Sequence, residues 1–136
     1  MKRPSRSALI VSDSAPLRRY AAAALEAGGF VCAESSNGFQ AMERFRETRF
    51  SLYVIDLDMA ASDDLSMFRI TLTGREDHAR PAIIGCTRTG VGPAKGPWAD
   101  ERLLFVLLPT PFRPQQLLEA ANAVVETTDR ALTKWC

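Results

Sequence analysis

Leu52-Tyr53-Val54-Ile55-Asp56-Leu57-Asp58 decides the fold, because an unbroken apolar run leads straight into a carboxylate. A strand with one solvated face alternates apolar and polar residues. A run without alternation suits a parallel strand covered on both sides. Similar short runs lie on either side of it in the chain. Ala8 to Val11 ends at Ser12-Asp13, and Pro81 to Cys86 ends at Thr87. Leu103 to Leu108 ends at Pro109-Thr110-Pro111, and Phe30 to Ala33 forms a further short strand. Helical segments fill the gaps. Pro16 opens a run of good helix formers through Ala27, stopped by Gly28-Gly29. Phe39 to Glu47 follows the turn Ser36-Asn37-Gly38, with Ala41, Met42 and Phe45 inward. Asp64 caps a third helix through Leu65, Phe68 and Leu72, ending at Gly74. Pro114 opens the last helix, which runs toward Thr128 or beyond on a stripe of Leu117, Leu118, Ala121, Val124 and Val125.

The order is strand then helix, repeated five times. The fourth helix is shortened or lost, since Gly90, Gly92, Pro93, Gly96 and Pro97 oppose a regular helix and leave at most a turn over Trp98 to Arg102. This order predicts an α/β fold, a doubly wound five-stranded parallel sheet with helices on both faces. At 136 residues the chain fits one domain over residues 8–130, between a tail at 1–7 and a tail or helix extension at 131–136.

Composition narrows the function classes. Charged residues make up 24% of the chain, yet the formal net charge is only +1. That balance gives no basic footprint for nucleic acid, and no helix-turn-helix follows the last helix, so direct DNA binding is not expected. No stretch is long enough to span a bilayer, and no secretory signal follows the basic start. Cys32, Cys86 and Cys136 are too few and too widely spaced for a metal cluster or a disulfide framework. Cys32 and Cys86 read as small buried hydrophobes and Cys136 as a terminal thiol, which suits a reducing cytoplasm. His78 has no second histidine to join it and reads as a surface residue.

In open parallel sheets, sites form beyond the carboxyl ends of the strands. Asp13, Asp56, Asp58, Thr87 and Thr110 all fall there. Converging carboxylates make a hard, oxygen-rich site suited to Mg²⁺ or Mn²⁺, and a carboxylate can attack phosphorus. Ordinary solvent-facing loop acids are the competing reading of the same residues.

These pieces, taken in order, resemble the receiver domain of response regulators over roughly Ala8 to Glu126. Leu9-Ile10-Val11-Ser12-Asp13 is similar to the first strand and its acidic pair, and Pro16-Leu17-Arg18-Arg19 to the start of the first helix. Asn37-Gly38-Phe39-Gln40-Ala41 is similar to the segment opening the second helix. Tyr53 to Met59 is similar to the phosphoacceptor strand and loop, Ile83 to Thr87 to the fourth strand with its switch threonine, and Leu108 to Pro114 to the lysine-proline-phenylalanine segment. The resemblance implies a flavodoxin-like strand order of 2-1-3-4-5 and a signalling module rather than an enzyme. It makes Asp56 the phosphoacceptor, Thr87 the switch hydroxyl and Thr110 the occupant of the lysine position. It assigns a weakly held Mg²⁺ to Asp13, Asp56 and the Asp58 backbone carbonyl, with Ser12 contributing through a water. Implied partners are a histidine kinase, a phosphotransfer protein or a regulatory protein. From its own residues, a last helix extended past Leu132 to Trp135 is a candidate homodimer contact, the alternative being that Trp135 packs back on its own domain or frays.

The departures from that pattern matter as much. Ser12 replaces one of the paired acids, and Thr110 is short and neutral where a lysine is expected. Arg88 and Arg113 flank the site and could supply the missing charge, as could Lys95 more remotely. Leu107 stands at the strand-five aromatic position, and Met59-Ala60-Ala61-Ser62-Asp63-Asp64 lacks the usual proline and glycine. Together these departures favour a degenerate receiver acting through protein contacts, with weak or absent phosphorylation. The alternatives are a working phosphoacceptor with unusual ligands and a flavodoxin-like binder of a small ligand near Trp98.

Overall fold

The computed structural model describes residues 6–59, 62–74, 80–89, 98 and 100–135. Five strands are found: β1 (Ser7–Val11), β2 (Val31–Ser35), β3 (Leu52–Asp56), β4 (Ala82–Thr87) and β5 (Leu104–Pro109). Four helices are found among the described residues: α1 (Ala15–Ala27), α2 (Gly38–Glu47), α3 (Ser62–Thr73) and α4 (Pro114–Trp135). All strand pairs are parallel, in the order β2-β1-β3-β4-β5. This is the doubly wound sheet expected from the sequence. The residues expected to form an eroded fourth helix, 90–97, lie outside the described residues, as do Lys95, His78 and Cys136.

Each face of the sheet carries its own apolar layer. Ala8, Ile10, Leu52, Val54 and Ile84 pack under α1 and α4 with Leu25, Leu117 and Ala121. Leu9, Val11, Tyr53, Ile55 and Ile83 pack under α2 and α3 with Ala41, Phe68 and Leu72. Strand parity makes this division, because successive side chains point to opposite faces. The central strand β3 is buried along its whole length, as its unbroken apolar run predicted.

Several boundaries differ from the sequence reading, each for a local reason. Phe30 is not part of β2. Its N–H donates to the Leu25 carbonyl at 3.1 Å, so it closes the end of α1, and the strand starts at Val31, whose N–H reaches the Arg6 carbonyl at 2.8 Å. The strand then runs on through the polar Glu34 and Ser35 because they register against Ile10 and Val11. Leu103 is likewise a turn residue, its N–H bonded to the Asp100 carbonyl, and β5 begins at Leu104. Asp64 does not cap α3 but sits with Asp63 inside its first turn, where a carboxylate complements the helix dipole. Arg6 and Ser7 belong to the fold rather than to a tail. Arg6 donates to Asn122 Oδ1 at 2.8 Å and lies over the Phe30 ring, and Ser7 opens β1.

Two glycines are needed where they stand. Gly29 has φ +91, a left-handed conformation that ends α1 at little steric cost. Gly38 packs against α3, where an added Cβ would fall 2.2 Å from the backbone oxygen of Asp64. That close approach brings α2 against the helix that follows the Asp56 loop.

Cys86 is buried, as expected, but Cys32 is only half-buried. Burial, reinforced by the Asp56 and Asp58 charges, pushes the Cys86 thiol up to about 12, and burial with Glu26 and Glu34 pushes Cys32 up to about 11. The thiolate is the reactive form. Iodoacetamide at neutral pH is therefore expected to leave Cys86 unlabelled in the native protein and to modify it in urea. Mass spectrometry of the Cys86 peptide reads the outcome, and rapid native labelling would show that this strand opens locally.

Candidate functional site

The carboxyl ends of β1, β3 and β4 meet at one edge of the sheet, where the chain turns from one strand system to the other. Asp56 is the last residue of β3 and is only 9% exposed. Each of its carboxylate oxygens accepts one hydrogen bond from the protein. Ser12 Oγ–H donates to Asp56 Oδ2 at 2.7 Å, and the Asp58 N–H donates to Asp56 Oδ1 at 2.9 Å. Ser12 is itself 1% exposed and held in place, its oxygen accepting the Ser14 N–H at 3.0 Å. Its carbonyl accepts from Arg18 Nη1 at 2.6 Å, and Arg18 pairs with Glu34 on β2 at 3.1 Å. Arg18 comes from the first turns of α1, and no sequence signal pointed to this bracing role.

The second half of the site lies at the end of β4. Thr87 is buried, and its hydroxyl donates to Asp58 Oδ1 at 2.8 Å. Asp58 Oδ2 accepts the Arg88 N–H at 2.8 Å, with Arg88 Nε 3.5 Å away. Thr89 adds an N–H and a hydroxyl near the Thr87 hydroxyl, at 3.3 and 3.1 Å. Desolvation pulls the Asp58 carboxyl upward, but the Arg88 N–H, the Thr87 hydroxyl and the Arg88 guanidinium outweigh it and hold its pKa below the ordinary aspartate value. A depressed folded-state pKa means that the contact stabilises fully above the unfolded pKa, about 4, and is lost as pH falls through the lower folded value. The Arg88 amide resonance is therefore expected to stay constant down to pH about 4 and to shift only below it. A midpoint at or above the ordinary value would contradict this geometry.

The structure brings together Ser12, Asp56, Asp58 and Thr87 of the residues expected at the site. Thr110 stands close behind, its N–H bonded to the Thr87 carbonyl at 2.9 Å. Asp13 is exposed beside Ser12. Arg88 supplies a cation to Asp58. Arg113 is exposed, and its N–H is taken by Gln116 Oε1 at 2.7 Å. Leu107 is half-buried on β5, and the aromatic group on that strand is Phe105, two residues earlier on the same face. The Phe105 ring lies over Gly85, where an added Cβ would meet it at 2.4 Å, and packs with the buried Trp98 at 6.1 Å between centroids. Period-two parity puts Leu107 and Phe105 on the same face of the sheet.

Fit to Mg²⁺ can be judged from these donors. A tightly held divalent cation needs free, convergent carboxylate oxygens. Here the two oxygens of Asp56 face hydrogen-bond donors, and the Asp58 carboxylate is turned to Thr87 and Arg88. Among the described residues no three of His, Cys, Asp and Glu gather to hold a metal ion. The Asp56 and Asp58 side chains therefore do not by themselves supply a strong cation site.

A five-stranded parallel sheet of order 2-1-3-4-5 with an acid-bearing switch point defines the flavodoxin-like class. No established family's sequence model matches the chain. Its fold is that of the CheY-like receiver domains. It is similar to the chemotaxis response regulator CheY4 of Vibrio cholerae, with TM-score 0.75 and 20% identity over 89% of this chain and 99% of that one. It is similar to a sensor protein from Polaromonas sp. JS666, with TM-score 0.77 and 20% identity over 92% and 99%. A CheY-like receiver domain from Methylobacillus flagellatus matches with TM-score 0.71 and 17% identity over 89% and 99%. No helix among the described residues is long and apolar enough to cross a membrane.

Proposed function

We propose that this chain is a receiver-type signalling module that acts through protein–protein contacts, with weak or absent phosphorylation of Asp56. The observation that carries the reading is the state of the Asp56 carboxylate. A receiver needs that carboxylate free to attack phosphorus and a cation to neutralise charge as the phosphoryl group arrives. Here each Asp56 oxygen already accepts one hydrogen bond, from the Ser12 hydroxyl and from the Asp58 N–H, which draws electron density from the attacking group. Thr110 offers no ammonium group, and of the two arginines bonded at this edge among the described residues, Arg18 holds the Ser12 carbonyl and Glu34 while Arg88 pairs with Asp58. The retained fold would then serve recognition by a kinase, a phosphotransfer protein or another regulatory partner in the cytoplasm.

Incubation with Mg²⁺ and acetyl phosphate, read by intact mass, tests this directly. Little or no acyl phosphate is expected, and any adduct should vanish in Asp56→Asn. Rapid, near-complete modification of Asp56 would establish the working phosphoacceptor instead. A stable complex recovered with a histidine kinase in the absence of phosphodonor would support the contact-based reading.

A further inference from the structure

We propose that the Asp58 carboxylate is a built-in occupant of an anion cradle at the end of β4, holding Thr87 and Arg88 as an oxyanion on Asp56 would otherwise hold them. This regulation belongs to the site just described and rests on reading Asp56 as the acceptor position.

The donor set comes first. The Thr87 hydroxyl, the Arg88 N–H and the Arg88 guanidinium converge on one small volume. A hydroxyl, a backbone amide and a guanidinium aimed at one point form a typical oxyanion-recognition set. The occupant comes second. Both oxygens of Asp58 are used, one by Thr87 at 2.8 Å and one by Arg88 at 2.8 Å. The side chain of Asp58 keeps 25% of its accessible surface and that of Arg88 80%, so the contact is open to solvent on the Arg88 side. The tether comes third. Asp58 lies two residues beyond Asp56, and its own N–H is bonded to Asp56 Oδ1 at 2.9 Å. The turn that carries the occupant is thereby pinned to the acceptor.

A tethered carboxylate competes with free anions as an intramolecular ligand, at an effective concentration in at least the millimolar range. The cradle is therefore filled before any phosphoryl group or free anion arrives. Thr87 is drawn toward β3 without modification, and β4 carries that state to β5 through the Cys86–Leu108 and Thr87–Pro109 register. The surface beyond these strands would sit in one state whatever the kinase does.

The test is an NMR titration with inorganic phosphate of the wild-type protein, Asp58→Ala and Asp58→Asn. Emptying the cradle with Asp58→Ala should move the Thr87 and Arg88 amide resonances, and phosphate should then shift them at a concentration at least about tenfold lower than in wild type. Asp58→Asn keeps the size of the side chain without its charge and should respond between the two. Arg88→Ala in the Asp58→Ala background should abolish most of the phosphate response. Equal half-saturation in wild type and Asp58→Ala overturns the proposal, as does no response from any protein. Intact mass with acetyl phosphate reads Asp56 modification separately. Failure of the cradle and failure of the weak-phosphorylation reading are thus seen in different measurements.

Discussion

Ser12→Asp is expected to make the protein's thermal stability depend on Mg²⁺. The substitution removes the hydroxyl that donates to Asp56 Oδ2 at 2.7 Å and puts a second carboxylate in its place. An ionised carboxylate accepts hydrogen bonds and donates none. A hydrogen bond to a charged group contributes about 1.5–3 kcal/mol, and two crowded carboxylates add repulsion. Ser12 is 1% exposed and Asp56 9%, so water screens this pair poorly. At neutral pH in EDTA the variant should lose about 2–4 kcal/mol, a melting point lower by on the order of 10 °C. Mg²⁺ at 100 times its dissociation constant would return about 2.7 kcal/mol. Scanning calorimetry of wild type and variant, each with EDTA and with Mg²⁺, checks all of this. Adding Thr110→Lys should raise acyl phosphate formation on Asp56 by on the order of 100-fold, the scale of one electrostatic stabiliser in a reacting site. A variant as stable as wild type in EDTA, and indifferent to Mg²⁺, would show that the Ser12 hydroxyl is not what settles the charge of Asp56.

The other large effect is expected in the opposite layer of the sheet. Phe68 on α3 is fully buried and sits edge-on to Tyr53 and Phe45, with centroids 6.0 and 6.2 Å away. Phe68→Ala deletes a ring from close packing and leaves a cavity, which typically costs about 3–5 kcal/mol. That is a large part of the roughly 5–15 kcal/mol that holds a domain of this kind together. The ring is also what anchors α3 over β3, directly after the Asp56 loop. Urea unfolding should show the lower midpoint, and hydrogen exchange should show α3 losing protection first. Phe68→Leu keeps most of the volume and should cost less than half as much. A loss below about 1.5 kcal/mol for Phe68→Ala would mean that the aromatic cluster collapses onto the gap.

The sheet was legible because its signals are local. Apolar runs such as Leu52 to Ile55 and breakers such as Gly28-Gly29 report on their own few residues, and the β3 reading held to the residue. The boundaries that moved did so through bonds to distant chain. Phe30 belongs to the end of α1 because Leu25 accepts its N–H, and Glu34 and Ser35 belong to β2 because β1 extends beside them. The packing of Phe105 was hidden for a similar reason. It depends on the absence of a side chain at Gly85 on the neighbouring strand and on Trp98 packing against it.

The sequence by itself determined the order of strands and helices, the two-sided burial of the sheet, and the presence of Asp56, Asp58 and Thr87 at one edge with Ser12 and Thr110 in unusual positions. Only the tertiary structure decided what those side chains do to one another. Ser12 reaches Asp56 across 44 residues of chain, and Asp58 reaches Thr87 across 29. Residue type sets a group's charge and hydrogen-bonding capacity, so that much can be read along the chain. The direction in which a carboxylate points is set by the donors that surround it, and those donors come together only when β1, β3 and β4 lie side by side.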